Sequence, residues 1–119
     1  MARILIVDDE PDMLHLISTL LLKKGFEVQT ALSKKELLLF LDSFKPQLII
    51  LDVMMKGENG RDICKQIKAA EHRHIPVILY SANPEMLADY QACDADDSLE
   101  KPFSFSTLFE KINRALITK

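Results

Sequence analysis

The sequence predicts one three-layer α/β domain over residues 1–119, in which a doubly wound, five-stranded parallel sheet lies between layers of five helices. Short apolar runs alternate with longer segments of helical periodicity, which is the pattern of consecutive strand–helix units. Three of these runs are continuously aliphatic, as expected for strands that helices cover on both faces. With 48% hydrophobic and 28% charged residues, a chain of 119 residues can bury one such core.

The first strand–helix unit begins with Ile4–Val7, a continuous aliphatic run. Pro11 suits the first turn of the following helix, where an N–H group has no partner to lose. The apolar positions of that helix recur at helical spacing: Met13, Leu16, Ile17, Leu20 and Leu21. Gly25 is expected just past its end, because glycine readily adopts the left-handed geometry of a helix terminus.

The second unit starts with the polar, alternating segment 27–30, which we expect at an edge of the sheet. Ser33 and Glu36 have the spacing of a capping box at a helix N-terminus. The helix that they open carries Leu37, Leu38, Phe40 and Leu41. Leu48–Leu51 is the second aliphatic strand, and a glycine-containing loop connects it to a helix. The apolar face of that helix comprises Ile63, Cys64 and Ile67.

The last part of the chain contains two further strands and two further helices. Val77–Tyr80 is the third apolar strand, and Pro84 is expected to start a short helix. Residues 97–100 form a weaker, more polar strand. Ser104 is expected to cap a final amphipathic helix whose apolar residues are Phe105, Leu108, Phe109, Ile112 and Leu116.

The apolarity of the strands also predicts their order. The three aliphatic strands belong in the centre and the two polar strands at the edges, so right-handed crossovers favour the order 2-1-3-4-5. The chain then reverses its direction of winding between the first and third strands. Ligands of such sheets bind beyond the carboxyl ends of the strands at this reversal, which is where we expect the functional site.

Three carboxylates fall at that place. Asp8 and Asp9 directly follow the first strand, and Asp52 directly follows the third. Neighbouring strands lie about 5 Å apart, so these side chains can converge. Because crowded carboxylates repel one another, a cation would stabilise them, and oxygen ligands with room for water suit Mg²⁺. Taken singly, Asp8 or Asp9 is better explained as a solvated loop or helix-capping residue, and it is the placement of all three acids at the reversal that favours a site.

Two more polar side chains end neighbouring strands. Ser81 follows the fourth strand and Lys101 the fifth, so a hydroxyl and an ammonium group face the carboxylates. Pro102 restrains the backbone of Lys101, because the residue before proline is held away from the helical region, and this peptide bond can also be cis.

Together these segments resemble the signature set of bacterial response-regulator receiver domains, which have a flavodoxin-like fold. The segments read ILIVDDE at 4–10, LDVMM at 51–55, YSA at 80–82 and EKPF at 100–103. The resemblance extends over the whole chain in the right order and spacing. It implies a two-component phosphorelay, in which a sensor histidine kinase or a histidine phosphotransfer protein donates a phosphoryl group and the receiver switches its contacts with a downstream protein.

The resemblance also implies a role for each site residue. Asp52 is the phosphoacceptor, and the phosphoryl oxygens are contacted by Lys101, the Ser81 hydroxyl and the Ala82 N–H. The implied ligands of Mg²⁺, or of Mn²⁺ as an alternative ion, are Asp9, Asp52 and the main-chain carbonyl of Met54, with Asp8 acting through water. Such a domain assists its own phosphorylation and dephosphorylation, and it is not a turnover enzyme on external substrates.

Several positions depart from the family pattern. Where receivers often carry Pro this chain has Lys56, and where they usually carry Gly it has Asp94. At the position of Ser98 most receivers have Tyr or Phe, whose ring swings inward on activation. Asp94 must therefore accept left-handed geometry, which Asp tolerates better than most residues. Tyr80 and Tyr90 are expected to pack in the core rather than to replace the missing ring.

Two residues bear on the lifetime of the signal. Met54, with its apolar thioether, cannot orient a hydrolytic water beside the phosphoryl group, whereas Asn83 could. We expect slow to intermediate self-dephosphorylation.

Composition narrows the range of partners and locations. A net charge of −3 and a pI near 5.6 argue against direct binding of nucleic acid, and no apolar run is long enough to span a membrane. Without a secretory signal in the sequence, we expect a cytoplasmic protein with free, half-buried thiols at Cys64 and Cys93. His72 and His74 do not make a metal site without further ligands.

Two other functions remain open. A phosphatase of the haloacid-dehalogenase type also uses an aspartyl nucleophile, but this chain has Met54 where those enzymes have a second Asp, and it lacks room for a cap domain. A phosphorylation-independent, receiver-like binding module is the more serious alternative, because of Ser98 and Lys56. The sequence does not decide between a stand-alone protein and part of a longer one, or between a monomer and a phosphorylation-dependent dimer.

Overall fold

The main sheet of the computed structural model, which describes residues 2–117, contains five parallel strands. The strands are β1 (Arg3–Val7), β2 (Glu27–Ala31), β3 (Leu48–Asp52), β4 (Val77–Ser81) and β5 (Asp97–Glu100). Their order is β2-β1-β3-β4-β5, as predicted from the apolarity of the strands. Every residue of β3 and β4 is buried, whereas β2 and β5 are partly exposed edges.

Within residues 2–117, four α-helices cover the sheet. They are α1 (Pro11–Lys23), α2 (Lys34–Ser43), α3 (Gly60–Ala69) and α4 (Phe105–Ile117). Helices α2 and α3 pack on one face through a cluster that includes Leu37 and Ile63. Helices α1 and α4 pack on the other face through a cluster that includes Ile17 and Ile112. The predicted three-layer arrangement is therefore confirmed, and a short antiparallel ribbon (Met54–Met55 with Glu58–Asn59) connects β3 to α3.

The fourth predicted helix, expected to start at Pro84, is replaced by two 3-10 turns, Pro84–Met86 and Tyr90–Cys93. In an α-helix the carbonyl of Met86 would accept a hydrogen bond from the N–H of Tyr90. Here Arg61 donates to that carbonyl (3.2 Å) and to the carboxylate of Asp89 (2.6 Å), while the N–H of Tyr90 bonds to Leu87 instead. The short helix expected from Pro84 is therefore confirmed only in its first turn, and Arg61 of α3 bonds to the carbonyl that would continue it.

Several local predictions are confirmed. Gly25 adopts φ 93° after α1, and Asp94 adopts φ 65°, the left-handed geometry expected of it. Ser104 caps α4 by accepting a hydrogen bond from the N–H of Thr107 (3.1 Å). The capping box at α2 is only half formed: Ser33 accepts from the N–H of Glu36 (3.3 Å). The side chain of Glu36 bonds one residue earlier than expected, to the N–H of Leu32 (2.6 Å).

The two cysteines are free but more deeply placed than predicted. Cys64 is fully buried and Cys93 is 3% exposed, because both face the core between α3 and the sheet. The expectation of half-buried thiols was therefore wrong. Among residues 2–117, no helix has both the length and the apolar character needed to cross a membrane.

Candidate functional site

The carboxyl ends of β1 and β3 bring Asp8, Asp9 and Asp52 together, as the topology predicted. One carboxylate oxygen from each of the three lies within 4.8 Å of the others. Asp8 is fully buried and Asp52 is 3% exposed, whereas Asp9 lies at the rim with intermediate exposure. The site is thus a pocket whose floor is acidic and whose outer edge is open to solvent.

The carboxylate of Asp52 is held near the centre of the pocket. Its Oδ1 accepts a hydrogen bond from the N–H of Met54 (3.3 Å) and lies 3.7 Å from Nζ of Lys101. Burial is the main cause that raises the pKa of Asp52 to about 7, and the negative charge of Asp8 adds to the rise. The positive charge of Lys101 opposes this rise by lowering the pKa of Asp52. A second positive charge would favour the ionised, nucleophilic form further.

Asp8 is fixed by contacts to both of its oxygens. Oδ1 accepts a hydrogen bond from the N–H of Glu10 (3.0 Å), and Oδ2 accepts one from the hydroxyl of Tyr80 and lies 3.4 Å from Nζ of Lys101. These contacts restrict the directions from which Asp8 can approach a metal, and its expected role through water remains a prediction. Burial, together with the charge of Asp8, raises the pKa of Tyr80, so this hydroxyl remains a donor.

Tyr80 belongs to the site as well as to the core. The expected core packing is confirmed, since its side chain is fully buried in the cluster beneath α1 and α4. Its hydrogen bond to Asp8 was missed by the sequence reasoning. Side chains alternate along β4, so Tyr80 and Ser81 point to opposite faces of the sheet. The sequence therefore gave no reason to expect the Tyr80 hydroxyl at the acidic pocket.

Asp9 is oriented by the loop that follows β3. The N–H of Lys56 donates a hydrogen bond of 2.7 Å to Oδ2 of Asp9. Lys56 therefore reaches the site through its main chain, and the carboxylate of Asp9 is restrained at the rim, where a metal ion with bound water can approach it.

Ser81 and Lys101 lie at the carboxyl ends of β4 and β5, as predicted. Ser81 is 1% exposed, and its Oγ accepts a hydrogen bond from the N–H of Asn83 (3.0 Å). The N–H of Lys101 donates to the carbonyl of Ser81 (2.8 Å), so the two strand ends are tied together. The Lys101–Pro102 peptide bond is cis, and the Lys101 side chain is 14% exposed.

The donor set fits a hard divalent cation. The cluster contains three carboxylates but only one ammonium group, that of Lys101, which lies within 4 Å of Asp8 and Asp52. The cluster therefore carries uncompensated negative charge, and its ligand atoms are all oxygens. The two carboxylates expected to bind such an ion directly, Asp9 and Asp52, both belong to this cluster. The carbonyl of Met54, the fourth expected ligand, remains a prediction.

A second group of ligand-type side chains lies at the opposite end of the sheet. The structure brings Asp42 and Glu71 to His72, at 3.8 Å and 3.5 Å from its Nε2. Both carboxylates are 82% exposed, and charged groups often cluster in this way on a surface without an ion. We assign no site there.

Ser98 lies where α4 meets the edge strand β5. A cavity of about 400 Å³ is lined by Ser98, Leu87, Tyr90 and Lys111, among others. Lys111 donates to the carbonyl of Ser98 (2.5 Å) and to the carboxylate of Asp97 (3.1 Å). Leu99 of β5 also packs with Leu108 and Ile112 of α4, so polar and apolar contacts together join α4 to β5. The packing of Tyr90 against the core is confirmed.

A doubly wound parallel sheet with an acidic pocket, a buried serine and a lysine at its carboxyl edge defines a flavodoxin-like domain of the signalling-receiver type. The family model described as the response regulator receiver domain matches residues 4–113, and the chain belongs to this family. It is a receiver domain of the kind found in two-component response regulators, and nothing in these comparisons favours the alternative of a phosphorylation-independent module.

Curated relatives place the chain among regulators of about twice its length. It is 37% identical over 119 residues to the transcriptional regulatory protein CpxR homolog of Haemophilus influenzae, covering 98% of this chain and 51% of that protein. It is 35% identical over 104 residues to the alkaline phosphatase synthesis transcriptional regulatory protein PhoP of Bacillus subtilis, covering 86% and 43% respectively. The chain thus spans about half the length of these curated relatives.

Solved structures agree with the fold. The receiver domain of NtrX from Brucella abortus has a TM-score of 0.90 at 32% identity, covering 98% of this chain and 99% of that one. The response regulator TrrA from Thermotoga maritima, solved in complex with Mg²⁺ and beryllofluoride, has a TM-score of 0.88 at 33% identity, covering 98% and 100%.

Proposed function

We propose that Asp52 accepts a phosphoryl group from a phosphohistidine on a sensor histidine kinase or a phosphotransfer protein. The observation that carries this proposal is the placement of a buried aspartate at the mouth of the sheet, 3.7 Å from the ammonium of Lys101 and beside two further carboxylates. The proposal treats residues 1–119 as one receiver domain.

In the proposed step, a carboxylate oxygen of Asp52 forms a bond to phosphorus while the P–N bond of the donor breaks. The electron pair of that bond stays on the imidazole nitrogen, which takes up a proton from solvent. Because this reaction needs positioning and neutralisation of oxygen charge more than covalent help, the side chains around Asp52 suffice for it.

Each neighbouring residue has a distinct role in this proposal. Lys101 contacts one phosphoryl oxygen with its ammonium, and the Ser81 hydroxyl and the Ala82 N–H contact others. Asp9, Asp52 and the Met54 carbonyl hold Mg²⁺ directly, and Asp8 acts through water. Mg²⁺, when bound, supplies positive charge to the phosphoryl oxygens and favours the ionised carboxylate.

The acyl phosphate then changes the contacts of Ser81. In the structure its Oγ accepts from the N–H of Asn83, and a new, strongly accepting oxygen beside it favours donation by Ser81 instead. This exchange would move the loop after β4 towards the site. The adjoining cavity is lined by Ser98, and β5 places no large aromatic side chain in it. Leu87 and Tyr90, which also line the cavity, therefore have space to follow that motion.

The partners proposed for the domain are proteins rather than nucleic acid. The net charge of −3 gives it no general attraction to phosphate backbones. The curated relatives are roughly twice as long, so a longer parent protein with an output domain is compatible with this chain. A cytoplasmic location and a monomer, or a dimer formed on phosphorylation, remain predictions.

The test is intact mass after incubation with Mg²⁺ and acetyl phosphate. We expect a gain of about 80 Da, the mass of one added phosphoryl group, that Asp52→Asn abolishes. Asp12→Asn, which alters an exposed acid of α1, is the matched control and should gain the same mass. No adduct on the wild type, together with no beryllofluoride binding, would support the binding-module alternative and overturn the proposal.

A further inference from the structure

We propose that Tyr80 is a positioning residue of the acidic pocket: its hydroxyl orients Asp8 towards the metal, and its ring holds Lys101 over Asp52. The inference rests on the proposed function and extends it to a residue on the core side of β4. Tyr80 does not contact the transferred group, so its effect is exerted through the two residues that it touches.

The hydroxyl of Tyr80 has a single described partner, and that partner belongs to the site. The side chain is fully buried, and its O–H donates to Oδ2 of Asp8 rather than to a main-chain carbonyl. The other oxygen of Asp8 accepts from the N–H of Glu10. With a donor fixed on each oxygen, the plane of the Asp8 carboxylate is set before any metal arrives, and such outer partners of metal-binding carboxylates commonly contribute to affinity.

The ring of Tyr80 supports Lys101 from below. Nζ of Lys101 lies 4.4 Å from the ring centroid, 3.4 Å from Asp8 and 3.7 Å from Asp52. A long lysine side chain loses considerable rotamer freedom when it is held in one geometry. The face of an aromatic ring attracts the ammonium without competing with the phosphoryl oxygens for its protons, so Lys101 can remain directed at Asp52 during the reaction.

The two roles can be separated by substitution. Tyr80→Phe removes the hydroxyl and keeps the ring, and Tyr80→Leu removes both. We expect both variants to bind Mg²⁺ about tenfold more weakly than the wild type, because Asp8 loses its buried donor in each. At saturating Mg²⁺ we expect Tyr80→Phe to be phosphorylated at about the wild-type rate and Tyr80→Leu about tenfold more slowly, since only the second loses the ring.

The first measurement is calorimetric titration with Mg²⁺ in the absence of any phosphodonor, followed by the rate of mass gain with acetyl phosphate at saturating Mg²⁺. Tyr90→Phe is the matched control, because Tyr90 packs on the other side of the sheet and should change neither quantity. Wild-type Mg²⁺ affinity in Tyr80→Phe would overturn the role of the hydroxyl. A wild-type rate in a folded Tyr80→Leu would overturn the role of the ring.

The role of the ring has a second readout that does not require Tyr80→Leu to fold. The ring face beside Nζ should shift the ε-methylene protons of Lys101 upfield in NMR spectra of the wild type and of Tyr80→Phe. Unshifted resonances in both proteins would overturn the contact. If the wild type itself gains no phosphoryl group, the proposed function fails, while the titration and the NMR spectra still decide the contacts of Tyr80.

Discussion

Gly60 lies directly against the main chain of Asp52, with no space for a side chain between them. A Cβ atom on Gly60 would overlap the carbonyl oxygen of Asp52 and lie 2.8 Å from Cα of Val53. The N–H of Gly60 also donates a hydrogen bond of 2.7 Å to the carbonyl of Val53. The first residue of α3 is therefore packed onto the end of the strand that carries the proposed phosphoacceptor.

Gly60→Ala should damage both the fold and the site. The added methyl group meets rigid backbone rather than a flexible side chain, so α3 or the end of β3 must move. We expect the free energy of unfolding to fall by about 3 kcal/mol, as for severe overpacking of a core. We also expect phosphorylation to slow, because Asp52 is displaced from Lys101. Urea unfolding monitored by circular dichroism and the rate of mass gain measure the two effects.

Gly57→Ala is the control for that substitution. Gly57 adopts φ 69°, and a Cβ atom there would meet nothing within 4 Å. The cost is then only the backbone strain of a left-handed alanine, about 1 kcal/mol. Equal destabilisation by the two substitutions would contradict the steric explanation for Gly60.

The sheet was predictable because its signals are local. Continuous aliphatic runs mark the three central strands, and the positions of Asp8, Asp52 and Lys101 at strand ends follow from the topology. The contact of Gly60 with Asp52 was not predictable, since it depends on the angle at which α3 approaches the sheet. The same holds for the hydroxyl of Tyr80, whose target lies 72 residues away in the chain.

The missing fourth helix has a comparable cause. Residues 84–90 carry apolar positions that suit a helix, and these local preferences favoured one. Arg61 overrides them, because its guanidinium bonds to the Met86 carbonyl and to Asp89 from a different helix. A side chain that reaches across the structure leaves no periodic signal in the segment that it alters.

Lys68→Met should destabilise the joint between α3 and the sheet. The Lys68 ammonium, on a side chain that is 7% exposed, bonds to Asp96 (2.6 Å) and to the carbonyl of Ile75 (2.7 Å). Methionine preserves much of the stem but leaves both acceptors without this donor. Because Asp96 is 35% exposed and partly hydrated, we expect a loss of about 2 kcal/mol. Lys65→Met, at an exposed position of the same helix, should change the urea midpoint little, and equal shifts would refute the assignment.

The thiols should be unreactive in the native protein. Cys64 is fully buried, and burial raises its pKa to about 12, so almost no thiolate is present at neutral pH. Cys93 is 3% exposed, and its Sγ donates to the carbonyl of Tyr90 (3.0 Å). We expect Ellman's reagent to modify both residues only as fast as the protein opens, and at once in urea. Modification of the native protein at the rate of a free cysteine would contradict the buried placement.

In the metal-free protein, Asp52 should contribute a loss of stability as the pH rises from about 4 to about 7. The pKa of Asp52 rises from 3.8 to about 7 on folding, mainly through burial, so within this range the unfolded chain has released a proton that the folded chain retains. The folded state is therefore progressively disfavoured, by up to about 1.4 kcal/mol per pH unit from this group. Urea unfolding in EDTA across this range measures the slope.

Asp52→Asn isolates the contribution of Asp52, because asparagine keeps the shape of the side chain but does not titrate. The difference in unfolding free energy between wild type and Asp52→Asn should change with pH between about 4 and about 7 and be constant below that range. Saturating Mg²⁺ should reduce this pH dependence, since a bound cation favours the ionised carboxylate that burial disfavours. A difference that is the same at every pH in EDTA would show that Asp52 ionises in the folded protein as readily as in the unfolded chain.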